Sequence, residues 1–233
     1  MFHFEEGEVF LIDKPLDWTS FDVVNLIRAV IKRYHGIRKL KVGHAGTLDP
    51  LATGLLIICT GRMTKQIDNY QAQEKVYTGS MLLGQTTPSY DLESEPDAFY
   101  PTDGITLEMM EEARKSFLGD IMQRPPKYSA IKIQGKRAFE YARSDEEIAL
   151  KERLVHIDDF KIYTDNFPKI DFEVKCSKGT YIRSLVNDFG KKLNSGACMT
   201  SLRRTKIGDF AVENARDLQE LKKEIMESGI FQE

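Results

Sequence analysis

One stretch of the chain concentrates residue types that could do chemistry: Gly43-His44-Ala45-Gly46-Thr47-Leu48-Asp49-Pro50-Leu51-Ala52-Thr53-Gly54. It sets one imidazole and one carboxylate in a tight, glycine-rich loop ahead of an apolar run, Leu55 to Cys59. Such a pair can serve as acid, base or nucleophile. The plainer alternative keeps Asp49 as a turn residue capping its own backbone before Pro50 and His44 as a packed loop residue. Taken alone, these twelve residues favour that alternative.

The rest of the composition narrows the chemistry. Four histidines (His3, His35, His44, His156) and three cysteines (Cys59, Cys176, Cys198) show no metal-ligand spacing, and the cysteines read as buried thiols. No phosphate-binding loop of the P-loop or dinucleotide type is present. Any reaction is therefore expected to run on side chains without metal or cofactor. With 233 residues, 41% hydrophobic and 30% charged, the chain reads as an ordinary globular protein. It has no apolar run of membrane-spanning length and no signal-peptide layout, so the cytoplasm is expected.

The net charge of −3 hides an uneven distribution. From Lys32 to Lys41, five of ten residues are basic and none is acidic. From Arg124 to Arg143 there are six bases and one acid, interleaved with Tyr128, Phe139 and Tyr141. Such segments can follow a phosphate backbone and stack on bases, although either alone is more often a solvated face. Asp91 to Asp97 and Glu213 to Glu233 are acidic.

The elements that must position the loop follow from periodicity. Val9 to Asp13 predicts a strand closed by Lys14-Pro15. Thr19-x-x-Asp22 predicts a capping box for a helix from about Ser20 to Tyr34 that buries Phe21, Val24, Ile27 and Ile31. His35 to Thr53 reads as loop. Strands are expected over Lys75–Leu83 and Asp171–Cys176, and helices over Leu107–Phe117, Thr180–Leu193 and around Leu218, Leu221 and Ile225. Strands and helices mix without strict alternation. The expected class is α+β around a mixed, largely antiparallel sheet flanked by helices, in one domain.

Several blocks besides the Asp49 loop stand in a characteristic order. They are Lys14-Pro15 with Thr19-Ser20; Lys75-Val76-Tyr77; Gln123-Arg124-Pro125-Pro126-Lys127-Tyr128-Ser129-Ala130-Ile131-Lys132; Cys176-Ser177-Lys178-Gly179-Thr180-Tyr181-Ile182-Arg183; and Leu202-Arg203-Arg204-Thr205. Together they resemble the TruB-type bacterial tRNA pseudouridine-55 synthase family, from about Phe10 to Phe210. The resemblance implies the pseudouridine-synthase fold and a cofactor-free isomerase that converts one uridine of the T-arm loop of tRNA to pseudouridine.

It also implies roles. Asp49 would be the nucleophile, with Tyr77 and Arg183 as further catalytic residues. His44 would fill the space left by a flipped base. Tyr77, Tyr181 and Leu202 would line the uracil pocket, and Arg183 would pair with Asp49 and keep it ionised. No metal is implied, tRNA is the partner, and no membrane or protein partner is implied; a monomer is expected.

Three departures from the family pattern stand out. Asp17 occupies a position usually held by glycine, and aspartate tolerates positive φ well enough for the turn to survive. The block Thr87-Pro88-Ser89-Tyr90-Asp91 keeps the pattern only in part, which bears on the shape of that loop. Many relatives continue into a small C-terminal RNA-binding domain; here the catalytic domain is expected over residues 1–212, with residues 213–233 a short acidic helix or tail and no separate domain. RNA contact is then expected to fall to the two basic segments. Two competing readings are an RNA-folding chaperone with catalysis secondary, and a guide-RNA-dependent relative of the dyskerin type, which expects the missing domain.

Overall fold

The computed structural model describes residues 2–129, 132–133, 136–137, 141 and 150–229. Ala130, Ile131, Phe139 and Arg143 lie outside those residues, so the basic segment Arg124–Arg143 is described only in part.

In chain order the first elements are β1 (Val9–Lys14), α1 (Ser20–His35), β2 (Val42–His44), β3 (Ala52–Thr60), a 3-10 segment (Gly61–Gln66), α2 (Ile67–Ala72) and β4 (Lys75–Leu83). Then come β5 (Gln85–Thr86), β6 (Ala98–Phe99), α3 (Leu107–Lys115), β7 (Gly119–Gln123), β8 (Lys132–Ile133), β9 (Lys136–Arg137), β10 (Arg153–Tyr163) and β11 (Lys169–Cys176). Last are α4 (Ile182–Lys192), β12 (Ala197–Ile207), β13 (Phe210–Ala211), β14 (Arg216–Asp217) and α5 (Leu218–Glu227). The class is α+β, as expected. The chain divides into two compact units, Met1–Tyr77 with Arg203–Glu233, and Thr78–Leu202.

In the first unit the strand order is β14-β1-β3-β12-β4, with β2 added beside β3. β1 and β3 run antiparallel, in register from Val9↔Cys59 to Lys14↔Gly54, and β14 runs parallel to β1. Both faces of β3 are covered, which accounts for its unbroken apolar run. Leu56 and Ile58 face a core shared with α1 and α5, including Val24, Ile27, Leu221 and Ile225. Leu55, Ile57 and Cys59 face a second cluster with Ile207 and Val212.

α1 begins as predicted. Thr19 Oγ1 accepts the Asp22 amide at 3.0 Å, and Asp22 Oδ2 accepts the Thr19 amide at 2.9 Å, satisfying two donors that a helix start leaves open. Its buried residues are Ser20, Val23, Val24, Ile27, Val30 and Ile31, whereas Phe21 is 58% exposed. At roughly 100° per residue, Phe21 points about 120° away from the centre of that buried arc. Three-residue spacing from Val24 was therefore not enough to bury it.

In the second unit the order is β12-β4-β11-β10-β7, and both β10–β11 and β10–β7 are antiparallel. Ile170, Phe172, Val174 and Cys176 alternate inward along β11. Phe160 and Phe172 meet edge-on at 6.4 Å, and Phe160 meets Phe189 of α4 at 5.9 Å. The three cysteines are buried, and burial pushes the Cys59 thiol up to about 11. Among the described residues, no helix is long and apolar enough to cross a membrane.

Candidate functional site

The first unit carries Asp49, His44 and Tyr77. β2 is three residues long and ends at His44, paired with Ile58; the chain then turns through residues 45–51 to enter β3. Gly46 supplies the positive φ (98°) that this turn requires. Leu48, directly before Asp49, is buried, and Asp49 itself is half-buried. Its carbonyl accepts the Ala52 amide at 3.1 Å, closing the turn.

Lys14 is fully buried at the end of β1. Its ammonium donates to the carbonyls of Pro15 (2.8 Å), Trp18 (2.5 Å) and Pro50 (3.4 Å). Burial lowers its pKa to about 8, against the opposing charges of Asp49 and Asp17. Asp17 holds φ 62° and donates its amide to Pro50 O at 3.0 Å, so the turn expected to survive without glycine does so.

His44 is held below its ordinary pKa, first by burial and then by the Arg204 charge, with the Gly46 backbone opposing. It is a neutral ring at pH 7, suited to apolar packing. Tyr77 is 9% exposed on β4, where Thr205 Oγ1 donates to the carbonyl of its neighbour Val76 at 3.2 Å.

The second unit carries Tyr181, Arg183 and Leu202. Gln123, at the end of β7, clamps the main chain of Tyr181: its Nε2 donates to Tyr181 O at 3.0 Å and its Oε1 accepts Tyr181 N–H at 2.8 Å. The Arg153 guanidinium lies 4.4 Å from the Tyr181 ring centroid. One helical turn on, Ser184 Oγ donates to Arg124 O at 2.8 Å. Arg183 donates to Tyr128 O at 2.8 Å and Ser89 O at 3.1 Å. Two sequence blocks far apart in the chain are thus laced together.

Arg183 also forms an ion pair with Asp91, Nε to Oδ2 3.5 Å, with both side chains 3% exposed. The Thr87–Asp91 loop, which departs from the family pattern, is closed by its own hydroxyls: Thr87 Oγ1 and Ser89 Oγ donate to Asp91 O at 2.7 and 3.2 Å. Leu202, 8% exposed on β12, ends this unit.

Sequence reasoning gave no role to Lys14, Ser20, Arg204, Asp91 or Gln123. A signal existed for two of them. Lys14 stands on the inward parity of β1 after Phe10 and Ile12, and Arg204 on the inward parity of β12 after Leu202. A charge at an inward strand position must be satisfied by something specific.

The model for the TruB family pseudouridylate synthase N-terminal domain matches residues 32–182, and that for the tRNA pseudouridylate synthase B C-terminal domain matches residues 183–231. The chain belongs to the TruB family of pseudouridylate synthases. A relative from Phocaeicola vulgatus, tRNA pseudouridine synthase B, is 53% identical over 93% of this chain and 92% of its own length. The protein of that name from Flavobacterium johnsoniae is 55% identical over 91% and 93%. Among solved structures, a Cbf5-Nop10-Gar1 complex contains a chain that superposes with a TM-score of 0.70 at 26% identity. That likeness takes in 95% of this TruB-family chain but only 55% of the other.

Proposed function

We propose that this chain isomerises uridine 55 in the T-arm loop of tRNA to pseudouridine, with Asp49 as nucleophile. The observation that carries the reading is identity above one half, over nine-tenths of both chains, to relatives named tRNA pseudouridine synthase B. The folded Asp49 turn supports it.

The reaction breaks the C1′–N1 bond, turns the uracil and joins C5 to C1′; the C5 proton is lost and N1 gains one. A carboxylate that engages the sugar and later leaves divides this into smaller barriers. The target base must first leave its stack, at about a few kcal/mol. His44, uncharged and held at the end of β2, takes the vacated space. In this reading Tyr77, Tyr181 and Leu202 each contact the uracil. Arg183, fixed by carbonyls and by Asp91, is in this reading a further catalytic residue. The protein acts on tRNA as a monomer.

Purified protein incubated with unmodified tRNA transcript, without cofactor and with chelator present, is expected to form pseudouridine at position 55 and nowhere else in the T-arm. Absence of the product, or product at another uridine, would overturn the reading.

A further inference from the structure

A carboxylate nucleophile is effective only if its oxygens are held where the reacting carbon arrives; an error near 1 Å costs about a hundredfold. The Asp49 turn has little backbone ladder to hold it. β2 ends at His44↔Ile58, and past it the loop's backbone bonds are the Ala45 amide on Ile57 O, the Ala52 amide on Asp49 O and the Asp17 amide on Pro50 O, which leave Gly46 and Leu48 to side-chain partners.

Two buried side chains hold those two residues. Ser20, the first residue of α1, accepts the Leu48 amide on its Oγ at 2.8 Å and donates to the Leu48 carbonyl at 3.2 Å. One hydroxyl thereby fixes both backbone groups of the residue preceding Asp49. Arg204 donates through Nη2 to Gly46 O at 3.1 Å and through Nε to Leu55 O at 2.8 Å, spanning the two ends of the loop. Both side chains are only 1% exposed.

Arg204 is itself held hard. A Cβ on Gly54 would come within 2.3 Å of the Arg204 carbonyl, so the two backbones are in contact. For stability alone, a buried guanidinium that meets neutral carbonyls is a poor choice, because desolvating the charge consumes much of what its hydrogen bonds return.

We propose that Ser20 and Arg204 are positioning residues of the isomerisation, fixing the backbone on the amino-terminal side of Asp49 so that its carboxylate meets the target nucleotide in a reactive geometry. This rests on Asp49 being the nucleophile. Neither side chain touches substrate in this account; both act through the loop.

The test compares wild type, Ser20→Ala, Arg204→Met and Arg204→Lys in single-turnover isomerisation at saturating tRNA, in tRNA affinity, and in the NMR titration of His44. Ser20→Ala and Arg204→Met should lose about 10- to 100-fold in rate while affinity stays within about threefold, and Arg204→Lys should fall between them and wild type. The His44 pKa should rise in Arg204→Met, where the neighbouring charge is gone, and not in Arg204→Lys. If Arg204→Met does not fold, Ser20→Ala and Arg204→Lys decide. Wild-type rate in Ser20→Ala, or a rate loss matched by an equal affinity loss, would overturn the proposal. An inactive wild type would instead overturn the Asp49 reading itself.

Discussion

Asp49 is the residue on which the proposed chemistry turns. Asp49→Asn is nearly isosteric and leaves the turn's backbone bonds available, so isomerisation is predicted to vanish while tRNA affinity changes by no more than a few fold. Turnover in that variant, with deamidation excluded by mass spectrometry, would count against the assignment. Asp91 and Arg183 form a buried ion pair. Asp91→Asn should cost about 3 kcal/mol in urea unfolding, the usual scale for removing one member of a buried pair; a change below about 1 kcal/mol would show the pair behaves like an exposed one. Lys14 gives a pH signature. Its pKa is about 8 folded against 10.5 for the free side chain, so between those values the unfolded chain binds a proton that the folded chain does not. Its contribution to stability therefore rises with pH across that window, and the penalty for its charge is fully present below it. Relative to Lys14→Met, wild type should gain stability from pH 8 to 10.5 and stay level below 8. Parallel stability curves would refute this.

Among the elements, α1 offers the clearest contrast between a face read correctly and one read wrongly. Ile27→Ala should cost about 2–5 kcal/mol by leaving a cavity under the helix, while Phe21→Ser should stay within about 0.5 kcal/mol. Equal losses in urea unfolding would mean the exposed ring is doing structural work. Helices were legible because a strong 3.6-residue period survives a few exposed apolar residues, as α5 shows with Leu218, Leu221 and Ile225. Strands were legible where alternation was clean, as in β11, or where a short apolar run met a turn signal, as in β1. β10 escaped notice because its register shifts between Ile157 and Asp159, so the inward parity of Val155 and Ile157 passes to Phe160, and Leu154 is exposed besides. β12 escaped because Arg204 occupies an inward position where an apolar residue would have kept the pattern. The same limit applied to the site. Residue types and order pointed to the Asp49 loop, but the partners that hold it come from β1, α1 and β12, and spacing along the chain carries no record of those contacts.

For the whole molecule, the net charge of −3 says less about the partner than where the charges lie. Lys32, Arg33, Arg38, Lys39 and Lys41 are all exposed, and no ion pair involves any of them among the described residues. They stand in the segment of chain that runs directly into β2 and His44. Binding to a T-arm stem-loop should therefore weaken steeply with salt, with a slope of log affinity against log salt of about −3 to −5. Replacing Arg38, Lys39 and Lys41 together by alanine should flatten that slope and leave the single-turnover rate at saturating RNA nearly intact. An unchanged slope would move the phosphate contacts to another surface.

The first unit is assembled from the two ends of the chain, with the whole of the second unit inserted between them. On the ribosome this imposes an order. The amino-terminal residues emerge before the second unit, yet the Leu218, Leu221 and Ile225 side chains that cover α1 are made after it. At about 5–20 residues per second, the apolar face of α1 waits on the order of ten seconds for its cover. The contiguous unit Thr78–Leu202 can close in the meantime. The Asp49 turn is completed later, when Arg204 arrives, so its hydrogen bonds close only after the whole of Thr78–Leu202 has been made.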